Sequence, residues 1–273
     1  ATHPNYGGYM GIRVPKPLLD EMKTSDLMIC LGERLSDSIS QSYTFPAAPQ
    51  PQLPLVQVWP DANEIGRVWR VDLPIAADPH AVIRGLLARN APEASEGRKA
   101  WVKGLNTIHR GLLAPEWDKM EDGVNFGAVC AAMSRHIPAD AAVTSDAGNF
   151  SSFLHRYFPF RQSHMFLASN VGAMGSAVPM AVAAALRRPG KRAVAFVGDG
   201  GILMTGNELA TAMREGVAPV IILSNNAGYG TIGMHHEGRY PGRPYDQAIR
   251  LVNPDFVAWA KSFGAAAFDI RAE

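Results

Sequence analysis

Two short polar motifs in this chain contain residues whose types and spacing suit the binding of a metal ion. One is Gly-Asp-Gly-Gly at 198–201, and the other is Asn-Asn-Ala-Gly at 225–228. Asp199 offers a carboxylate, Asn226 offers an amide oxygen, and the second motif also offers a backbone carbonyl. An oxygen-only ligand set of this kind suits Mg²⁺, a hard cation that shares its coordination shell with phosphate groups. The motifs therefore predict a magnesium site.

The elements around these motifs explain how they can meet. Residues 193–197 and 219–223 are short apolar runs, which predict two buried parallel strands. Residues 205–215 have a helical pattern, and two parallel strands need such a crossover connection. Both strands then end at the same edge of the sheet, where open α/β sheets bind ligands. Asp199 and Asn226 are therefore expected to converge.

Each motif alone is weak evidence, because Asp-Gly is a common turn dipeptide and Asn-Asn is common in loops. Their order, and the place of each after a predicted strand, favours a binding site over two unrelated turns. Gly200 and Gly201 lack a β-carbon, so they leave room for a diphosphate to approach the backbone amides. A diphosphate is therefore the expected partner of the metal.

With these motifs the chain resembles the thiamine-diphosphate-dependent enzymes of the acetolactate synthase, benzoylformate decarboxylase and pyruvate decarboxylase group. The resemblance implies that Asp199, Asn226 and the backbone oxygen of Gly228 hold Mg²⁺. It also implies that neighbouring residues contact the cofactor, namely Gly200, Gly201, Tyr229, Gly230 and Thr231.

An upstream segment, residues 144–150, fits the same resemblance. It follows a predicted strand and looks like the first diphosphate-contacting loop of the family, where Asn149 and Phe150 would face the phosphates. Taken without the resemblance, the segment is better explained as an ordinary strand-to-helix turn with Asp146 or Asn149 as its cap.

Residues 170–179 form a second upstream segment, in which glycines flank Met174. The acetolactate synthase branch has a Met here that lies beneath the cofactor and holds its two rings in a V shape. The resemblance therefore implies a cofactor contact for Met174. The alternative is core packing near a helix start.

The activity that the resemblance implies is decarboxylation or carboligation of 2-oxo acids, most similar to that of acetolactate synthase. One alternative is a non-ligating lyase of the benzoylformate decarboxylase type. From a different class, a cofactor-binding but catalytically silent homologue or subunit is also open. A dinucleotide-dependent dehydrogenase is disfavoured, because no Gly-x-Gly-x-x-Gly opens a helix with an acidic partner downstream.

The segment after Asn226 departs from the acetolactate synthase pattern. His235 stands where that enzyme has a Trp of the substrate pocket, and Met234 replaces the preceding Gln. His235 and His236 are the candidate catalytic residues, since a histidine transfers protons near neutral pH. The favoured alternative is that both are loop residues at the pocket mouth.

The resemblance places the activating Glu of the family in an amino-terminal pyrimidine-binding domain, and no residue here corresponds to it. The chain is therefore expected to be a fragment from the middle of a longer protein, inactive alone. Family members hold the cofactor between two subunits, which implies a homodimer or homotetramer of the full-length chain.

The fold class predicted is α/β, with two doubly wound parallel-sheet (Rossmann-like) domains truncated at both ends, the second being the thiamine diphosphate-binding fold. The first domain is assigned to 1–92, with strands at 26–31 and 55–59 and a helix at 80–89. Residues 93–124 are expected to form a linker and helices.

The second domain is assigned to 125–273. Its expected strands lie near Ala141, Met165, Ala193, Pro219 and Ala265. A helix is expected after Asn253, with Asn253 as its cap and Pro254 in its first turn.

In the first domain, residues 31–37 follow a strand and raise the question of a flavin. Only Gly32, Arg34 and Asp37 match the corresponding loop of flavin-bearing relatives. FAD is therefore possible but not favoured. The alternative is a nucleotide-free domain used for packing.

Composition indicates a soluble cytoplasmic enzyme. The chain is 47% hydrophobic and 19% charged, with a formal net charge of +1, so neither nucleic acid nor a membrane is an expected partner. A small-molecule 2-oxo acid is the expected substrate. Cys30 and Cys130 are too few for a disulfide framework or a metal cluster.

Overall fold

The computed structural model describes residues 2–11, 14–113, 116–117, 120–121, 123–161, 163–243 and 246–271. The chain divides into two compact units, residues 3–111 and residues 112–273, and the second unit also includes residues 1–2. None of the helices within the described ranges has the length and apolar character needed to cross a membrane.

The unit of residues 3–111 contains a three-stranded parallel sheet in the order β1-β2-β3. Its elements are α1 (Lys16–Met22), β1 (Met28–Leu31), β2 (Leu55–Trp59), β3 (Leu73–Ala76), α2 (Pro79–Leu87) and α3 (Glu96–Leu112). Cys30, Leu35, Leu55 and Trp69 are buried in its core. The strands predicted at 26–31 and 55–59 and the helix predicted at 80–89 are present, with small shifts of their ends.

Strand β3 has no counterpart in the sequence-based prediction, because Pro74 lies inside it. A proline cannot donate a ladder hydrogen bond, so it weakens the pattern of a strand and is confined to sheet edges. β3 is at the edge of its sheet, where this residue is tolerated.

One face of α3 packs against the amino-terminal segment of the same unit. The side-chain amide of Asn106 donates to the carbonyl oxygen of Tyr6 at 2.8 Å. The rings of His109 and Tyr6 meet edge to face, with centroids 4.9 Å apart. His109 is 7% exposed, and burial lowers its pKa because the charged imidazolium loses hydration.

We expect acidification to destabilise the unit through His109, since a histidine with a lowered pKa binds its proton less readily when folded than when unfolded. The contribution of neutral His109 to the free energy of unfolding is complete above the pKa that a histidine has in the unfolded chain, about 6.5. It decreases as the pH drops below that value towards the lower pKa of His109 in the folded protein. Between about pH 7 and about pH 5, the melting temperature of His109→Gln should therefore fall less than that of the wild type. Thermal unfolding followed by circular dichroism measures this, and parallel pH profiles would contradict it.

The unit of residues 112–273 contains a four-stranded parallel sheet in the order β5-β4-β6-β7. Its elements are α4 (Phe126–His136), β4 (Ala142–Ser145), α5 (Asn149–Tyr157), β5 (Met165–Ala168), α6 (Ala177–Arg187), β6 (Ala193–Gly198), α7 (Asp199–Thr205), a short 3-10 helix (Gly206–Glu208), α8 (Leu209–Arg214), β7 (Val220–Ser224), α9 (Gly230–Arg239), α10 (Asp246–Ile249) and α11 (Phe256–Ser262).

Alternate residues of the central strand β6 face two separate hydrophobic clusters. Val194 and Phe196 are buried with Leu154 of α5 and with residues of α4 on one face of the sheet. Ala195 and Val197 are buried with residues of α6 and α7 on the other face. Because successive side chains of a strand point to opposite faces, helices cover both sides of the sheet. The predicted doubly wound α/β fold is confirmed.

Three local predictions for this unit are wrong. No strand forms near Ala265 among the described residues, since the segment after α11 pairs with no other strand. The cap of α11 is Asp255 instead of Asn253, because the Asp255 carboxylate reaches the amide of Ala258 at 2.9 Å. Pro254 therefore precedes the helix. The helical crossover after β6 begins at Asp199 instead of at residue 205.

Candidate functional site

A pocket of about 230 Å³ lies at the carboxyl ends of β4, β6 and β7. The eleven residues expected to contact the cofactor all line it: Asn149, Phe150, Met174, Asp199, Gly200, Gly201, Asn226, Gly228, Tyr229, Gly230 and Thr231. Seven further lining residues are absent from the sequence-based prediction: Phe126, Ala147, Gly148, Phe153, Gly198, Ser224 and Ile232. Five of the seven lie within two positions of a predicted residue, and Phe126 and Phe153 do not. The motifs therefore indicate where the pocket is but not all of the residues that line it.

Asp199 is the first residue of α7 and is only 2% exposed. Its Oδ1 accepts a hydrogen bond from the amide of Gly200 at 2.9 Å. Its Oδ2 accepts from the amide of Gly228 at 3.1 Å and from Nδ2 of Asn253 at 2.8 Å. Donors around a buried carboxylate stabilise its charged form and fix its orientation. The carboxylate is therefore held in place before any ligand arrives.

The side-chain amide of Asn226 faces two oxygen atoms. One of its terminal atoms lies 2.9 Å from the carbonyl oxygen of Gly228 and 3.3 Å from Oδ1 of Asp199. If the amide presents its nitrogen there, it donates to both oxygens. If it presents its oxygen, three oxygen atoms face one another, and a cation between them is what stabilises that arrangement. The carboxylate, amide and carbonyl fit the ligand preferences of Mg²⁺.

The loop that carries Asn226 is held from outside by the segment 249–251. The amide of Tyr229 donates to the carbonyl oxygen of Ile249 at 2.9 Å, and the amide of Leu251 donates to that of Ala227 at 2.9 Å. Ala227 has a φ of +52°, a left-handed conformation that costs energy for a residue with a β-carbon. These main-chain bonds help to stabilise that turn between the two expected metal ligands.

Besides α7, which starts with Asp199, two further helices begin at the pocket wall. Asn149 starts α5 and Gly230 starts α9, and no side chain in the described ranges caps either helix. Uncapped amides in a first helical turn, together with the helix dipole, favour an anion. The hydroxyl of Thr231 donates to Oδ1 of Asn149 at 3.1 Å and links the two helix starts. This part of the pocket suits a diphosphate.

Gly200 lies against two side chains of the pocket wall. A β-carbon at Gly200 would stand 2.6 Å from the ring of Tyr229 and 3.1 Å from the terminal methyl of Met174. Met174 therefore lines the pocket, and it belongs to none of the buried hydrophobic clusters. The glycine is needed here because the protein itself fills the space beside it.

Gly201 makes room for the carboxylate of Asp146. A β-carbon at Gly201 would stand 2.0 Å from Oδ2 of Asp146. That carboxylate accepts hydrogen bonds from the amides of Gly175 and Ser176 at 2.8 and 3.0 Å, and it is 3% exposed. Asp146 thus ties the end of β4 to the loop before α6, which also carries Met174.

The expectation that Asp146 or Asn149 caps the helix after β4 is wrong, because the cap residue of α5 is Gly148 and makes no side-chain cap bond. Asp146 bonds instead to backbone amides thirty positions away. A distant partner leaves no pattern in the local sequence, which is why this contact was missed.

The two candidate catalytic histidines lie in the middle of α9, and neither is among the described residues that line the pocket. His235 is exposed. The ring of His236 lies against that of Tyr240, with centroids 5.3 Å apart. The structure therefore does not bring either imidazole to the pocket wall.

The loop considered for a flavin belongs to the unit of residues 3–111. Gly32 has a φ of +74° immediately after β1. Arg34 pairs with Glu64 at 3.2 Å and lies over the ring of Trp59. Asp37 accepts a hydrogen bond from the amide of Ser38 at 2.7 Å.

Comparison with protein families matches both units. A model described as the C-terminal TPP binding domain of thiamine pyrophosphate enzymes matches residues 146–273. A model described as the central domain of thiamine pyrophosphate enzymes matches residues 1–86. Thiamine pyrophosphate, or TPP, is another name for thiamine diphosphate.

Curated relatives match over most of the chain. The acetolactate synthase large subunit of Lactococcus lactis subsp. lactis is 27% identical over 88% of this chain and 41% of its own length. A probable acetolactate synthase large subunit of Methanocaldococcus jannaschii is 27% identical over 97% of this chain and 45% of its own length. The acetolactate synthase large subunit of Corynebacterium glutamicum is 28% identical over 98% of this chain and 44% of its own length. The chain thus spans less than half the length of these relatives.

Proposed function

The chain belongs to the thiamine pyrophosphate enzyme family, and from this premise we propose that its pocket binds the diphosphate of thiamine diphosphate together with Mg²⁺. The observation that carries the proposal is the meeting of the Asp199 carboxylate, the Asn226 side-chain amide and the Gly228 carbonyl beside a pocket at the carboxyl edge of the sheet. We propose further that the whole protein decarboxylates and ligates 2-oxo acids, as the names of its relatives suggest.

Three groups would hold the metal. Asp199 would supply a carboxylate oxygen, Asn226 its amide oxygen and Gly228 its carbonyl oxygen. Mg²⁺ prefers six oxygen ligands and usually takes the remainder from phosphates and water. Bound there, it would neutralise the charge of the diphosphate and anchor it next to the starts of α5 and α9.

The chemistry that thiamine diphosphate supplies when bound is a carbon nucleophile and an electron sink for 2-oxo acids. The residues of this chain bind and orient it. Met174 and Tyr229 form adjoining parts of the wall beside Gly200. We propose that Met174 supports the bent conformation of the cofactor there.

A second candidate activity is a 2-oxo acid lyase that forms no new carbon–carbon bond. The sequence departs from the acetolactate synthase pattern at Met234 and His235, and this departure is the reason to consider it. Both residues lie on α9, which begins at the pocket wall, although neither is among the residues that line the pocket. The two activities differ in their products. Incubation of the whole protein with pyruvate should yield CO₂ and acetolactate if it ligates, and CO₂ without acetolactate if it is only a lyase.

We also propose that the full-length protein is a homodimer or homotetramer. Two apolar side chains of the unit of residues 112–273 are exposed in the single chain and suit burial by a second copy. Val171, in the loop before α6, is 81% exposed, and Ile232 of the pocket wall is 55% exposed. Sedimentation of the whole protein with and without the cofactor measures the oligomeric state.

We expect thiamine diphosphate to bind saturably only when Mg²⁺ is present. A diphosphate next to the buried carboxylate of Asp199 needs a cation between them, and leaving a buried charge unpaired costs about 3 kcal/mol or more. Binding should therefore weaken at least about a hundredfold when EDTA removes the metal. Isothermal titration calorimetry measures both affinities.

The titration is carried out on this chain and on the full-length protein, because the chain spans less than half of its relatives. Circular dichroism of each sample establishes that it is folded. Equal affinity with Mg²⁺ and with EDTA in the folded full-length protein would contradict the metal site. Absence of any binding there would contradict the cofactor site.

A further inference from the structure

Asn253 contacts the expected metal site although it belongs to neither motif. It lies just beyond the segment 249–251, which pairs with the loop that carries Asn226. Its Nδ2 donates to Oδ2 of Asp199 at 2.8 Å and to Oδ1 of Asn225 at 2.8 Å. One amide group thus joins the residue after β6 to the loop after β7.

The orientation of this amide is determined by its neighbours. Oδ1 of Asn225 accepts a hydrogen bond from the amide of Ala227 at 3.2 Å, so that oxygen faces the donors. Asp199 presents a carboxylate oxygen. Because both neighbours are acceptors, Asn253 must present its nitrogen to them. It does so although its own buried Oδ1 then has no hydrogen-bond partner among the described residues.

The contact leaves Oδ1 as the carboxylate oxygen of Asp199 that is available to a cation. Oδ2 accepts two hydrogen bonds, from Asn253 and from the amide of Gly228. Oδ1 accepts one, from the amide of Gly200, and faces the amide of Asn226. Asn253 is the side chain that donates to Oδ2, and Asn226 is the side chain that faces Oδ1. The other donors to Asp199 are backbone amides that cannot follow a rotating carboxylate.

We propose that Asn253 is a positioning residue for the magnesium site, and that it acts through Asp199. This inference rests on the proposed function of the pocket. Asn253 holds Oδ2 of Asp199, so that Oδ1 points towards the oxygens of Asn226 and Gly228. It also keeps the loops after β6 and β7 at the separation that a shared cation requires.

The test compares three variants of the full-length protein. Asn253→Ala removes both donated hydrogen bonds, and Asn253→Ser retains a hydroxyl too short to span both acceptors. Asp255→Ala is the matched control, because it removes the cap of α11 two positions away without touching Asp199. Calorimetric titration with Mg²⁺ at saturating thiamine diphosphate gives the metal affinity. Urea unfolding without cofactor gives the stability of each variant.

We expect both Asn253 variants to weaken Mg²⁺ binding by about 10- to 100-fold, as loss of an outer contact to a metal ligand does. Asp255→Ala should lose stability and keep the wild-type metal affinity. If the Asn253 variants change the metal affinity no more than the control does, the positioning role is wrong while the proposed function stands. If the wild type shows no Mg²⁺-dependent binding at all, the proposed function and this role both fail.

Discussion

Replacing Asp199 by Ala is expected to weaken Mg²⁺-dependent binding of thiamine diphosphate by at least about a hundredfold. Loss of an outer contact to a metal ligand commonly costs about 10- to 100-fold in metal affinity, and loss of the ligand itself should cost no less. Asp199 also contributes the carboxylate of the proposed ligand set. Calorimetric titration with thiamine diphosphate in the presence of Mg²⁺ measures the change.

The controls for this experiment separate binding from stability. Asp199→Ala also leaves the amides of Gly200 and Gly228 without this acceptor, at a cost of about 1–3 kcal/mol for each buried group. Asn253 loses one of its two acceptors and keeps Oδ1 of Asn225. Its folded state must therefore be verified by circular dichroism. Asp140→Ala removes another carboxylate, one that pairs with Lys191 before β4 at the opposite end of the strands from the pocket. Equal affinities of these two variants would contradict the role of Asp199.

Gly201→Ala is expected to destabilise the unit of residues 112–273 by about 2–5 kcal/mol. The added methyl group would overlap Oδ2 of Asp146, which is 2.0 Å from the position of the new β-carbon. Asp146 can move away only by releasing the amides of Gly175 and Ser176. Overpacking costs about 1–3 kcal/mol and a broken buried hydrogen bond a similar amount. Urea unfolding measures the loss.

Gly238→Ala is the matched control for this substitution. Gly238 is also helical and belongs to the same unit, and a β-carbon there would meet no atom within 4 Å. Alanine favours a helix over glycine by about 1 kcal/mol, so this variant should be as stable as the wild type or more stable. If the urea unfolding midpoint of Gly201→Ala equals that of Gly238→Ala, the region around Asp146 adjusts freely to the added methyl group and the prediction is wrong.

The strands of the larger unit were predictable because buried parallel strands are continuous apolar runs. β6 is buried along almost its whole length, and its residues form such a run in the sequence. β4 is equally buried, but the apolar part of its sequence ends at Val143. β3 could not be recognised in the same way, since Pro74 is compatible with a strand only at a sheet edge. Whether a strand lies at the edge depends on the folded sheet, and the local sequence does not predict it.

The pocket was predictable to the extent that its residues follow strand ends. Asp199 and Asn226 follow neighbouring strands, and the geometry of parallel sheets brings such residues to one edge. Asn253 was expected to be a local helix cap, and Asp146 was one of two cap candidates in the alternative explanation of its segment, because such residue types often cap helices. Their actual partners are far away in sequence. The local sequence pattern therefore predicts the motifs, but it does not predict the contacts by which Asp146 and Asn253 join distant segments.

The pairing of residues 249–251 with the loop after β7, and the contact of Asn253, have a consequence for the newly made chain. Ribosomes synthesise proteins from the amino terminus, so both polar motifs emerge before the segment that braces them. Until that segment has been translated, Asp199 lacks its side-chain donor and Ala227 lacks the bond to Leu251. Contacts of long sequence separation form slowly, because the chain must first close a loop. The binding site at this sheet edge therefore cannot be complete before residues 249–253 have been translated.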